Sequence, residues 1–223
     1  PGDSPLNVVH EARLDGEGNL TGTFRFDGTG AMDGRLRRIV NGVRKKELTA
    51  RCARLLSVVS PRVEVLAAEH RKPDDFSGDM WLKIDYRLPG FVRPVAGAFE
   101  FASPLMQVVL SDGNLFGNGG ADWAEERHTD LLLWYTMLLD GSETIKVPGG
   151  FKMAEAAEPA EVDETYAAFS GTVEQKGSKL VLSHHAEIRR RQIPPDGYPG
   201  FREAMSAARS WGDRIYRVEK GGK

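Results

Sequence analysis

Apolar and polar residues alternate with a period of two across LNVVHEARLDGEGNLTGTFRFDG (residues 6–28), around the turn-forming run Asp15–Gly16–Glu17–Gly18–Asn19. That pattern predicts a β-hairpin. The period then lengthens. Leu36, Ile39, Val40 and Val43, followed by Leu48, Cys52, Leu55, Leu56 and Val59, recur at three and four, so a helical stripe runs to Pro61 with a break or cap at Asn41–Gly42. VEVLAAEH and MWLKIDYRL return to strand patterning, joined by the turn-rich RKPDDFSGD. The order β-β-α-β-β predicts an α+β unit over residues 1–92, with a helix on an antiparallel sheet.

The Pro/Gly-rich LPGFVRPVAG marks an expected domain boundary. Beyond it AFEFA, LMQVVL and DLLLWYTMLL read as strands, with a Gly/Asn/Asp loop at residues 111–122. After DGSETIKVPGGF the Ala/Glu/Pro run AEAAEPAEVDE reads as an exposed connection. TYAAFSGTVEQ and KLVLSHHAEIRRR form a hairpin across KGS, with Leu180, Leu182, His184, Ala186 and Ile188 on one face. Phe201, Met205, Ala208 and Trp211 share one helical face, and RIYRVEK closes the chain as a strand. Residues 93–223 are therefore expected to be a β-sandwich or barrel-like unit with one late helix, and the whole to be mainly β with α+β character.

Composition narrows the function classes. Thirty basic and 32 acidic residues leave a net charge of −2 among 223 residues. Such a balance supplies no field for nucleic acid or an anionic membrane. The longest apolar run, LLLWYTMLL, is far shorter than a membrane-spanning helix requires. One cysteine excludes an internal disulfide framework. The chain opens on Pro1 rather than methionine, and is read as part of a longer polypeptide.

Each chemical candidate competes with a structural reading. Cys52 lies on the apolar stripe inside a helix rather than at a helix N-terminus, so it is expected to fill the core and not to act as a nucleophile. His184 and His185 are adjacent on a strand and point to opposite faces; with His10, His70 and His128 scattered, no metal-ligand spacing emerges. Gly28, Gly30 and Gly34 imitate a phosphate-binding turn. The strand before them, however, alternates as a half-solvated antiparallel strand does, so they are read as turn glycines. Asp112, Asn114, Asn118 and Asp122 lack the spacing of an EF-hand. No catalytic residue, metal ligand or cofactor is assigned. Trp81, Trp134 and Trp211 lie in core-like patterns, which leaves Trp123, with Arg127, His128 and Asp130, as the candidate binding residues.

EERHTDLLL, IKVPGGF, the Ala/Glu/Pro link, YAAFSGTVEQKGSKLVLSHHAEIRRRQIPPDGYPGFREAM and the final RIYRVEK together resemble the C-terminal, post-core region of exported bacterial proteins with a transglutaminase-like, papain-related core. LDGEGNLTGTFRFDGTGAMDGRLRRIV resembles the segment just after that core. The family's core uses a Cys–His–Asp triad, with the cysteine at a helix N-terminus and the histidine on a following strand. Cys52 fits neither context, and none of the triad maps onto this chain. The resemblance implies a non-catalytic accessory region. Its partners would be an upstream transglutaminase-like domain of the same polypeptide and a peptide or cell-envelope component, in the periplasm or outside the cell. It implies neither nucleic-acid binding nor membrane insertion by this region. A glycan- or peptide-binding module using Trp123 and its loop, or a hydrolase using His128/Asp130 or Cys52, are the competing readings.

Overall fold

A computed structural model describes residues 4–93, 95–110 and 126–221. Its strands are β1 (Pro5–Leu14), β2 (Leu20–Gly28), β3 (Glu64–His70), β4 (Met80–Leu88), β5 (Ala98–Phe101), β6 (Leu131–Leu132), β7 (Met137–Lys146), β8 (Phe151–Met153), β9 (Ala160–Asp163), β10 (Ala167–Lys176), β11 (Lys179–Ile188), β12 (Gln192–Ile193) and β13 (Tyr216–Lys220). The helices are α1 (Gly30–Val40), α2 (Lys45–Leu56), α3 (Pro104–Leu110) and α4 (Tyr198–Gly212). Among the described residues the fold is mostly β with four helices, one of them late in the chain, and the sheet does not close into a barrel.

Eight strands make one sheet in the order β3-β4-β2-β1-β7-β11-β10-β9. Most neighbours are antiparallel. The exception is β1 with β7, whose parallel register runs from Pro5↔Leu138 to Arg13↔Lys146. The sheet therefore passes without interruption from strands of residues 1–92 to strands of residues 93–223. One face is covered. α1 and α2 pack over β1–β4, while α3 and α4 lie over the other half, and β5-β13-β8 form a small antiparallel sheet of their own. The other face alternates to solvent in every long strand, as the polar positions of the sequence require.

The helices follow the sequence stripe. Met32, Leu36 and Val40 of α1, and Leu48, Cys52, Leu55 and Leu56 of α2, face inward, and Asn41–Gly42 separates the two. Cys52 is wholly buried there, and that burial pushes its thiol up to about 11. Arg37, on the same inward stripe, is held by Asp33 and by backbone carbonyls of residues 72–78.

Several expectations for the second half are corrected. LMQVVL is helix α3, because Ser103 caps it: the Met106 N–H donates to Ser103 Oγ at 3.1 Å. DLLLWYTMLL is not one strand. β6 ends after two residues and β7 starts at Met137, running on to Lys146, past the expected strand end at Leu139. Gly141 and Glu143 occupy inward positions of β7, which hid its period of two. β9 forms within the Ala/Glu/Pro run. Trp211 is buried as expected and Trp81 half-buried, but Trp134 is 75% exposed.

Candidate functional site

β1, β7 and β11 are central strands, and each places one ionisable residue on the covered face: His10, Glu143 and His184. None is more than 3% exposed. The parallel register sets His10 opposite Glu143 across β1 and β7. His10 Nδ1 lies 2.7 Å from Glu143 Oε1, and His10 Nε2 lies 2.6 Å from the Tyr86 hydroxyl on β4. One assignment of protons gives each of these atoms a partner: Nδ1–H donates to the carboxylate, and Tyr86 O–H donates to Nε2. The result is a carboxylate–imidazole–hydroxyl relay.

Glu143 gathers further donors. Ser103 Oγ donates to Oε2 at 2.5 Å, and the Leu105 N–H, at the start of α3, donates to Oε1 at 2.9 Å. The Trp211 indole N–H donates to His184 Nδ1 at 2.9 Å. A neutral His184 ring then carries its proton on Nε2, which faces Glu143 Oε2 at 3.9 Å. Burial alone would raise the Glu143 carboxyl. The hydrogen bond from His10 and the nearby His184 N–H outweigh it and hold the group well below the usual carboxylate range. Tyr86 is pushed the opposite way, well above an ordinary phenol, first by burial and then by the negative charge of Glu143.

Chemically this arrangement has the order of a general-base relay, yet it opens nowhere. His10 stacks on Phe24 at 4.0 Å, and Phe24 stacks on Tyr86. Trp211 closes over Gly171, where an added Cβ would meet the indole at 2.5 Å. Leu105 and His184 pack similarly against Gly141. The relay joins β1, β4, β7 and the start of α3, with β11 and α4 adjoining through His184 and Trp211.

The opposite face of the same strands is open. Ser170, His185, Asp140 and Asn7 form one row across β10, β11, β7 and β1; Thr172, Ser183, Ser142 and Val9 form another. Between them the backbone of Gly171, His184, Gly141 and Val8 floors a shallow depression. His185 Nδ1 pairs with Asp140 at 2.8 Å, and its Nε2 lies 3.4 Å from Glu187.

The residues singled out by sequence fall elsewhere. Trp123 and the loop residues Asp112, Asn114, Asn118 and Asp122 lie outside the described residues. Arg127 sits 5.5 Å over the Tyr198 ring, and His128 is exposed. Asp130 accepts a hydrogen bond from Gln192 and borders a shallow depression with Tyr166, Arg190, Arg191 and Pro194. Sequence reasoning passed over His10 and Glu143. The available signal was a charged residue at an inward position of an alternating strand, visible only once β7 is given its true limits. Among the described residues, no three His, Cys, Asp or Glu side chains are grouped to hold a metal, and no helix is long and apolar enough to cross a membrane.

Residues 107–211, just under half of the chain, match the model of a domain of unknown function represented among solved structures, DUF3858. The match includes Glu143, His184 and Trp211 and stops short of His10, Tyr86 and Ser103. No curated protein matches the chain. Among solved structures it is similar to a protein of Parabacteroides distasonis described as a "putative protease", at 12% identity and a TM-score of 0.42. That similarity covers 49% of this chain and 22% of the other, so the chain spans about a fifth of that protein's length.

Proposed function

We propose that this chain is a non-catalytic accessory region of an exported bacterial transglutaminase-like protein, one that braces a catalytic domain of the same polypeptide. The observation that carries this reading is the sealing of the Glu143–His10–Tyr86 relay. A general base must come within hydrogen-bond reach of the proton it removes, and these side chains are enclosed by Phe24, Trp211 and the start of α3. Their service is to the fold: one carboxylate ties strands from both halves of the chain. Cys52, wholly buried and with a raised thiol, supports the same reading. The resemblance of residues 125–220 to a post-core region, and of residues 14–40 to the segment just after the core, supplies the family context.

The test is to sequence the gene upstream and express the longer protein. A Cys/His/Asp core should lie there. Deleting residues 1–223 should lower that core's melting temperature, and this chain alone should show neither amide hydrolysis nor transamidation. An open reading frame without such a core, or turnover by the isolated chain, would refute the proposal.

The polar depression on the open sheet face favours a second reading, a binding module for glycans or peptides. Chemical-shift perturbation centred on Asn7, Ser142 and His185 would support it.

A further inference from the structure

Eight large apolar side chains are exposed among the described residues, and the three most exposed, Phe76 (78%), Trp134 (75%) and Leu132 (72%), emerge at one end of the main sheet. The register fixes this placement. Pro5 of β1 lies beside Leu138 of β7; Leu6 pairs with Gly28, and Gly28 with Met80 of β4. The loop from His70 to Met80, which carries Phe76, and the segment entering β7, which carries Trp134, therefore flank the start of β1. β4 and β7 are three strand spacings apart, about 14 Å.

These groups are held firmly. Arg37 donates to the carbonyls of Pro73, Asp75 and Gly78, and its guanidinium carbon lies 4.5 Å from the centre of the Phe76 ring. Asp75 accepts from the N–H and hydroxyl of Ser77 and from Arg71. On the other side the Leu133 N–H donates to the Arg191 carbonyl at 2.7 Å, while Arg191 Nε donates to the Leu133 carbonyl. Leu133 is thereby turned inward, and Leu132 and Trp134 outward. Next to them Arg35, on α1, stacks on Tyr135 at 4.8 Å. α1 thus supports both loops. A fixed aromatic ring in water loses little freedom when a partner covers it, which is how interface anchors behave.

We infer that this end of the sheet is the docking surface for the domain that precedes residue 1 in the same polypeptide, with Phe76, Leu132 and Trp134 as its anchors. The inference rests on the reading above as far as the existence of such a domain. The occupant follows from chain direction. β1 runs away from this end, so Ser4, where the described residues begin, lies between the two anchor points. A domain tethered there meets the anchors at high effective concentration. An interface of ordinary size, about 800 Å² on each partner, would cover both. Leu66 lies in the edge strand β3 and Ile215 just before β13, so they serve as controls.

Hydroxyl-radical footprinting of the full-length protein, against residues 1–223 alone, tests this. Phe76 and Trp134 should be oxidised several-fold more slowly in the longer protein, with Leu66 and Ile215 unchanged. In parallel, the double variant F76S/W134S, folded by circular dichroism, should split the single thermal transition of the full-length protein into two. Equal oxidation in both proteins overturns the inference. So does a dimer of residues 1–223 in sedimentation that the double variant abolishes, because the occupant would then be a second copy. An upstream domain that protects these residues but lacks a Cys/His/Asp core refutes the proposed function and leaves the docking surface standing. A transglutaminase-like core that leaves them unprotected does the reverse.

Discussion

Two histidine–carboxylate pairs reach across central strands, one from β1 to β7 and one from β11 to β7, and they have nearly the same length. His10 meets Glu143 at 2.7 Å with both side chains fully buried; His185 meets Asp140 at 2.8 Å with 39% and 53% of the side chains exposed. The buried carboxylate has no water to fall back on, so each lost partner costs its desolvation in full. The exposed pair exchanges one solvated state for another and is screened by salt. Contact distance says little about energetic weight. The face of the sheet decides it, and one step along β11, from His184 to His185, is enough to change face.

The sharpest way to break this contrast is E143Q. It keeps the shape but turns an acceptor into a donor opposite His10, and should cost about 3 kcal/mol in urea unfolding. A loss below about 1 kcal/mol would put the two faces on equal terms. The acid limb adds a sign. Glu143 is depressed in the folded state, so its contribution is present above the ordinary carboxylate value of 4.5 and is lost as pH falls below it. Stability measured from pH 5 downward should therefore fall less steeply in E143Q than in the native chain.

Gly171 probes the floor between the faces. G171A would drive a Cβ into the Trp211 indole and should cost roughly 1–3 kcal/mol, with near-ultraviolet circular dichroism reporting the displaced tryptophan. Burial acting on a thiol offers a third probe. Cys52 is raised from 9.0 to about 11 in the folded chain. Its protonated form is thus favoured by folding; that contribution is complete below pH 9 and is lost as pH rises to about 11, roughly 3 kcal/mol in all. C52A should flatten that alkaline limb, and the native thiol should resist iodoacetamide at pH 8. The smallest effect belongs to D140N, which should cost well under 1 kcal/mol and vanish in high salt. A larger, salt-insensitive loss would show that the open face is not solvated as its exposure implies.

Much of the fold was legible because its elements carry unmixed periods. The first hairpin, the Cys52 stripe and the Leu180–Ile188 face all lie where alternation or helical spacing puts them. The errors fall where a residue serves a distant partner instead of its own element. Glu143 breaks the pattern of β7 in order to reach His10 and Ser103. Leu132 and Trp134 look like core but are held outward by Arg191, in the link between β11 and β12. Contacts of this kind, spanning 133 residues between His10 and Glu143, leave no local trace. For the same reason the polar centre was not legible from five scattered histidines.

The parallel seat of β1 beside β7 has a consequence for synthesis. The opening hairpin is made early, but one of its edges stays without a neighbour until residue 146 has been added. At 5–20 residues per second that wait, from the end of β2 at residue 28, lasts roughly 6 to 24 seconds, with the His10 side of the strand unsheltered. A nascent chain in that condition invites pairing with another copy of itself, so a holding chaperone acting on the emerging hairpin should raise the yield of this protein more than it raises its final stability.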